Sequence, residues 1–247
     1  MKKTNIFKTL IIGAAFCFAG LTANAQFEFG LSLSGGIPTG DLGKKVEKNA
    51  AGLYGNSHGL MGKEYITQGS SASIGFNFRF GYRIPINNSE YGEVLPFVEF
   101  GGQFNFLKKD IKEQYTTRGD TYPRYINIPM YIGAQYRYPV TDVIKPYVEF
   151  GIGYNMLLIT VEKNKAGDVY HYKNPSGAFS GNVGLGCFFS DYVSVGVYYY
   201  GLGTHAIKFT NDNNTVTDPI ELANTNAKTH TLGTVAFRLN FHFGMRR

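Results

Sequence analysis

The chain has 247 residues, a formal net charge of +6, 15% aromatic residues, 31 glycines, two cysteines and no tryptophan. Its lysines and arginines are dispersed, with no basic stripe alternating with base-stacking aromatics, which excludes nucleic acid as a partner. Glycine is poor in helix interiors and aromatics suit pleated surfaces, so the composition is that of an all-β protein.

The first 25 residues read as a cleaved signal peptide. Lys2, Lys3 and Lys8 precede an apolar stretch from Leu10 to Leu21, followed by Ala23-Asn24-Ala25, a small-x-small cleavage signal. The stretch is shorter than the ~20 residues of a spanning helix. Phe16 before Cys17 stands where a lipoprotein signal needs a small residue. Cleavage leaves Cys187 alone, so neither an intramolecular disulfide nor a Cys-based metal site is expected. It also removes three lysines, so the mature domain, 26–247, is less basic than the whole chain.

Eight segments of two-residue alternation follow, at 27–36, 72–84, 96–107, 125–138, 146–159, 178–189, 192–202 and 231–244. In the second, Ile74, Phe76, Phe78, Phe80 and Tyr82 alternate with Ser73, Gly75, Asn77, Arg79, Gly81 and Arg83. The last sets Val235, Phe237, Leu239, Phe241 and Phe243 against Ala236, Arg238, Asn240 and His242. Period two makes one face apolar and the other polar. Short links follow the even strands, around Asn87-Asn88, Thr141-Asp142 and Ser190-Asp191. Long links follow the odd ones, at 37–71, 108–124, 160–177 and 203–230. An even strand count with short turns on one side and long polar loops on the other predicts an eight-stranded antiparallel transmembrane β-barrel of the outer membrane.

An internal repeat supports a hairpin architecture in one domain. Tyr82-Arg83-Ile84-Pro85 followed by Pro96-Phe97-Val98-Glu99-Phe100-Gly101 recurs as Tyr136-Arg137-Tyr138-Pro139 followed by Pro146-Tyr147-Val148-Glu149-Phe150-Gly151. Each copy is the foot of a hairpin around a short turn.

The interior of an eight-stranded barrel is only just filled by side chains. The many Phe, Tyr, Leu and Ile of the apolar face exceed that space. The opposite face fits it, with Gly30, Ser32, Gly75, Gly101, Gly151, Ser180, Gly184, Ser194 and Gly196 interspersed with Asn77, Gln103, Asn127, Asn155 and Asn240. The apolar face is therefore expected to meet lipid, with Tyr82, Tyr136 and Tyr138 as a girdle at the turn end. The alternative with the faces exchanged is a secreted soluble barrel that binds a hydrophobic ligand.

Charges on the inward face are Arg79, Arg83, Glu99, Arg137, Glu149, Arg238 and Glu28. Charges in a narrow lumen are costly unless paired, and their balanced signs predict structural ion pairs. Centring the second hairpin near Ser89 sets Arg79 opposite Glu99, with Arg83 nearer the rim. His58, His171, His205 and His230 fall in or beside loops and His242 lies on the polar face. Gly55-Asn56-Ser57-His58-Gly59 has the Gly-x-Ser-x-Gly spacing but lies in the long first link and not at a strand-to-helix elbow, and no His-Glu-x-x-His motif occurs, so no catalytic residue, metal or cofactor is expected. A lipid-modifying enzyme built from loop residues is the third reading.

The Tyr125-Ile126-Asn127-Ile128-Pro129 strand, the Pro-aromatic-Val-Glu-Phe-Gly strands and the Phe-rich end from Phe237 to Phe243 resemble small outer-membrane β-barrel proteins often called PorT-like. The resemblance spans essentially the whole mature chain. It implies an outer-membrane location and a barrel of this size, and it carries no substrate. One departure is that Gly244-Met245-Arg246-Arg247 follows Phe243, where such chains often end on the aromatic. The expected role is structural or surface-interacting. Expected partners are outer-membrane lipid and lipopolysaccharide, the outer-membrane assembly machinery, and a protein met by the loops. The first loop carries Lys44, Lys45, Lys48 and Lys63 among Leu53, Tyr54, Leu60 and Met61.

Overall fold

The computed structural model describes residues 26–44, 69–87, 90–119, 121–122, 124–160, 162–163, 169–172, 176–207, 209–211 and 228–244. The expected signal peptide therefore lies outside the described residues, as do Lys45, Lys48, Leu53, Tyr54, Leu60, Met61 and Lys63 of the first loop. The strands are β1 (Gln26–Gly40), β2 (Ser70–Pro85), β3 (Glu93–Leu107), β4 (Tyr125–Arg137), β5 (Lys145–Ile159), the short β6 (Glu162–Lys163) and β7 (Val169–Tyr172), β8 (Ser176–Phe188), β9 (Val193–Ile207), the short β10 (Phe209–Asn211) and β11 (Lys228–Gly244). The eight long strands close into an antiparallel barrel in the order β1-β11-β9-β8-β5-β4-β3-β2. Pairing of β1 with β11, from Glu28↔Gly244 to Gly40↔Leu232, completes the ring. Closure satisfies the edge backbone groups that hydrocarbon could not.

All eight alternating segments are strands, and two run four or more residues further than periodicity indicates. β1 continues through Ile37-Pro38-Thr39-Gly40, which reads as a turn. Its pairing with β2 ends at Gly36↔Ser73, so beyond that point only the β11 side is bonded and a proline is tolerated. β9 continues to Ile207 past an irregularity at Leu232/Gly233, opposite Gly201 and Gly203. Gly203 has φ 90°, a conformation that favours glycine.

The long loops also carry structure that alternation does not reveal. β10, β7 and β6 form a separate three-stranded sheet. A helix, α1 (Lys109–Arg118), follows β3 and ends at Gly119, which has φ 79°. Among the described side chains of α1, Ile111 and Tyr115, one turn apart, are the buried ones, too few to stand out as helical periodicity.

Burial alternates as the faces require. Phe179 is 72% exposed, Ile132 69% and Phe237 59%, whereas Asn127, Glu99 and Arg238 are buried. Apolar side chains point outward, so the soluble-barrel alternative is not this structure. The lumen is not filled by small groups alone, however. Tyr131, Tyr147, Tyr198, Tyr200, Phe97 and Phe188 are buried in it. The glycines make room for them. A Cβ on Gly184 would meet the Tyr198 ring, and one on Gly186 or Gly196 the Tyr147 hydroxyl. Large and small residues thus interlock across neighbouring strands. Of the girdle tyrosines, Tyr136 and Tyr138 are exposed, but Tyr82 is only 5% exposed because the Phe27 ring lies edge-on at 5.4 Å.

The extracellular end closes differently. Leu42, Leu107, Tyr125, Leu157, Ile159, Leu202 and Leu232 are buried there. Leu42 is delivered by a 3-10 turn, Asp41–Gly43. Thr231 N–H donates to Asp41 Oδ2 at 2.7 Å and Lys44 Nζ bonds Asp41 Oδ1, which ties this turn to β11.

Candidate functional site

The inward charges gather into two tiers. In the upper tier, β2 and β3 set Arg79 directly opposite Glu99. Arg79 Nε and Nη2 donate to Glu99 Oε2 at 2.9 and 2.6 Å. The other edge of the guanidinium reaches Glu149 on β5, with Nη1 and Nη2 bonds of 2.9 and 2.6 Å. Arg238 on β11 approaches from the far side, its Nη1 and Nη2 donating to Glu99 at 3.0 and 2.6 Å. It also donates to Tyr200 Oη at 3.0 Å and Ser32 Oγ at 2.8 Å. Glu149 further accepts from Gln135 Nε2 at 2.8 Å and Tyr198 Oη at 3.2 Å. Two arginines balance two glutamates, and all four side chains are at most 2% exposed.

The lower tier lies toward the short turns. Glu28 on β1 accepts from Arg137 Nη1 and Nη2 at 2.8 and 2.5 Å, and from Arg83 Nη2 at 2.6 Å. Glu93 adds a second carboxylate, 3.3 Å from Arg137 and 3.7 Å from Arg83. Gln135 links the tiers: its Oε1 accepts from Arg137 Nε at 2.5 Å while its Nε2 serves Glu149. The guanidinium of Arg79 lies 4.0 Å over the Phe97 ring, that of Arg137 4.3 Å over Phe188 and that of Arg238 4.7 Å over Tyr198. Bidentate, charge-assisted bonds with ring stacking are what guanidinium makes well and ammonium does not. The inward face accordingly holds arginines here.

His242 extends the lower tier. Its Nδ1 lies 2.8 Å from Glu28 Oε1 and its Nε2 3.0 Å from Ser194 Oγ. Ser, His and carboxylate in this order are also the groups of a nucleophilic triad. Here Ser194 is fully buried, its hydroxyl already accepts from Asn240 Nδ2 at 3.0 Å, and Glu28 is held by two arginines. No local sequence motif contains this trio, because its members are 48 and 214 residues apart. The only sequence signal is shared inward parity. His205 and His230 likewise face inward at strand ends, both buried. His205 bonds Asn155 Nδ2 at 3.1 Å and the carbonyls of Ser176 and Leu202 at 3.0 and 2.9 Å.

A closed eight-stranded ring with lipid-compatible residues outside, polar and charged residues inside and short turns at one end is the architecture of a bacterial outer-membrane protein. The model of the outer membrane protein beta-barrel domain matches residues 10–243. The chain belongs to that family. This outer-membrane β-barrel is thereby placed in the bacterial outer membrane, at a level broader than the PorT-like group its motifs resemble. It is similar to solved structures of Ail from Yersinia pestis, at 11% identity over 89% of this chain and 99% of that one, with a TM-score of 0.43. OprG from Pseudomonas aeruginosa matches at 9% identity over 89% and 96%, TM-score 0.42. The outer membrane enzyme PagL matches at 14% over 87% and 99%, TM-score 0.35. Matches this distant say nothing of this chain's activity. No curated protein matches the chain.

Proposed function

We propose that this outer-membrane β-barrel, exported through the segment 1–25, is a closed and non-catalytic scaffold that holds its long extracellular loops for a structural or surface-interaction role. The observation that carries this reading is the pair of charge-balanced tiers bonded straight across the lumen. An ion pathway needs charges that are free to hydrate and exchange partners, whereas these guanidinium and carboxylate groups are committed to one another at hydrogen-bond distance. On this reading Arg79, Arg83, Glu99, Arg137, Glu149 and Arg238 brace the wall. The wall faces outer-membrane lipid and lipopolysaccharide, the assembly machinery inserts it, and a protein partner is met at the loops. Rigid scaffolds commonly carry their binding residues on such loops, and Lys44, Lys45, Lys48 and Lys63 suit an anionic headgroup layer.

Three measurements test the reading. In planar bilayers the purified barrel is expected to leave the baseline unchanged, and a steady ohmic current would overturn closure. A fluorophosphonate probe is expected to leave Ser194 unlabelled; labelling that disappears in His242→Ala would make the barrel a hydrolase. Strains in which 45–68 and 212–227 are shortened should insert the barrel normally yet behave like the deletion strain. Wild-type behaviour in both would return the function to the barrel itself.

A further inference from the structure

The outer wall is not uniformly convex. Toward the short-turn end of β1–β4 it holds an apolar recess of about 480 Å³, lined by Phe27, Phe80, Tyr82, Ile84, Pro96 and Val98 with Ile132 beside them. Its origin can be followed along the cross-strand rows. One outward row runs Phe29, Phe80, Val98, Ile132 and is bulky. The row nearer the turns runs Ile84, Val94, Tyr136. Between them stand Pro96 and Ala134, which are directly paired and small. Gly81, Phe97 and Gly133 lie beneath, paired in one inward row, and offer this outer face only their backbone, which forms the floor. The β2–β3 ladder also lapses here: Gly81↔Phe97 is followed by Ile84↔Val94, with nothing registered between, and Pro96 has no N–H to give.

We infer that this recess is a binding site for one acyl chain of an inner-leaflet phospholipid. The medium that meets this wall is itself hydrocarbon, so no partner has to be brought to it. The lining is aromatic and aliphatic, and the volume falls within the range of pockets that enclose a small ligand. The leaflet follows from position. Short turns of such barrels lie on the periplasmic side, and the recess lies just above the β2–β3 turn. Tyr136 in the adjoining row is 36% exposed and donates its hydroxyl to the Tyr91 carbonyl at 2.7 Å in that turn. This places amphipathic rings at headgroup level below the recess. An annular lipid on a convex wall exchanges freely; a chain seated in a recess is held on several sides and buries more of its methylenes.

The test is native mass spectrometry of the barrel extracted in mild detergent from its own membrane, with the retained lipid identified by fragmentation. The wild type is expected to keep one phospholipid. Val98→Trp fills the recess with an apolar ring and should lower retention at least about fivefold, the equivalent of roughly one buried methylene. Val183→Trp is the control, on β8 at a position 56% exposed and outside the recess; it should retain the lipid. Heat-modifiable migration on gels checks that both variants are folded. The inference is overturned if the wild type keeps no lipid, if the retained lipid is lipopolysaccharide, or if both variants behave alike. It is also overturned if Val98→Trp dissolves a dimer, which would make the recess a subunit interface.

Discussion

The lower lumen and the extracellular mouth share one set of inward-facing positions and solve opposite problems. Below, Glu28, Glu99, Glu149, Arg79, Arg137 and Arg238 are buried and bonded in a net that reaches across the barrel. Above, the same strand parities continue into Leu107, Tyr125, Leu157, Ile159 and Leu232, which simply pack together. A network of buried ions is stable only when complete, because each missing partner leaves an uncompensated charge in a dry place. An apolar plug degrades by degrees, losing contacts in proportion to the atoms removed. The charged half should therefore fail abruptly and be rescued by a second substitution, while the apolar half should fail gradually and without rescue.

The largest expected effect is in the net. Glu99→Gln leaves Arg79 and Arg238 with the single carboxylate of Glu149 between them and should cost about 3–5 kcal/mol in lipid-vesicle unfolding. Pairing it with Arg238→Met should recover much of that, and a double-mutant cycle without coupling would break the comparison at its root. The wall comes next. Phe100 is 46% exposed and mid-strand, and Phe100→Arg should cost about 2–4 kcal/mol when folding is followed in the same vesicles. In the mouth, Leu157→Ala should cost about 2–3 kcal/mol through the cavity it opens. No second-site charge change is expected to restore it, and if one does, the two halves are not independent.

The smallest effect sharpens the boundary between them. Asp41 lies outside the strands. Burial pushes its carboxyl up, but the Lys44 ammonium and the Thr231 N–H outweigh this and hold it below its usual 3.8. A carboxyl lowered in the fold stabilises fully above its unfolded value and loses that contribution as pH falls through and below it. Asp41→Asn should thus cost at most about 1 kcal/mol at neutral pH in this water-facing setting, and progressively less in acid. Hydrogen exchange at the Thr231 amide across that pH range reads it directly. An effect unchanged in acid would remove the carboxylate from the latch.

Much of the architecture is local information and so stands in the sequence. Period-two alternation assigns each residue of a strand to one face, and turn length orders adjacent strands; the eight strands, their outward phenylalanines and the alternation of short and long links follow. The Arg79–Glu99 register needs only the position of one hairpin turn. Even the apolar mouth is implicit, since Leu107 and Leu157 keep the inward parity of Glu99 and Glu149 beyond the last polar position.

What the tertiary structure alone decided is who meets across the lumen. Arg79 and Glu149 are 70 residues apart, Arg137 and Glu28 109, and Arg238 and Glu99 139. Their meeting depends on how far each strand is staggered when β11 returns to β1, a property of the closed ring that no single segment contains. The Ser194–His242–Glu28 chain has the same origin, since β9 and β11 meet β1 only when the ring closes. The recess at Pro96 needs no closure, but its lining is spread over β1, β2, β3 and β4, so it exists only when four neighbouring strands stand in register.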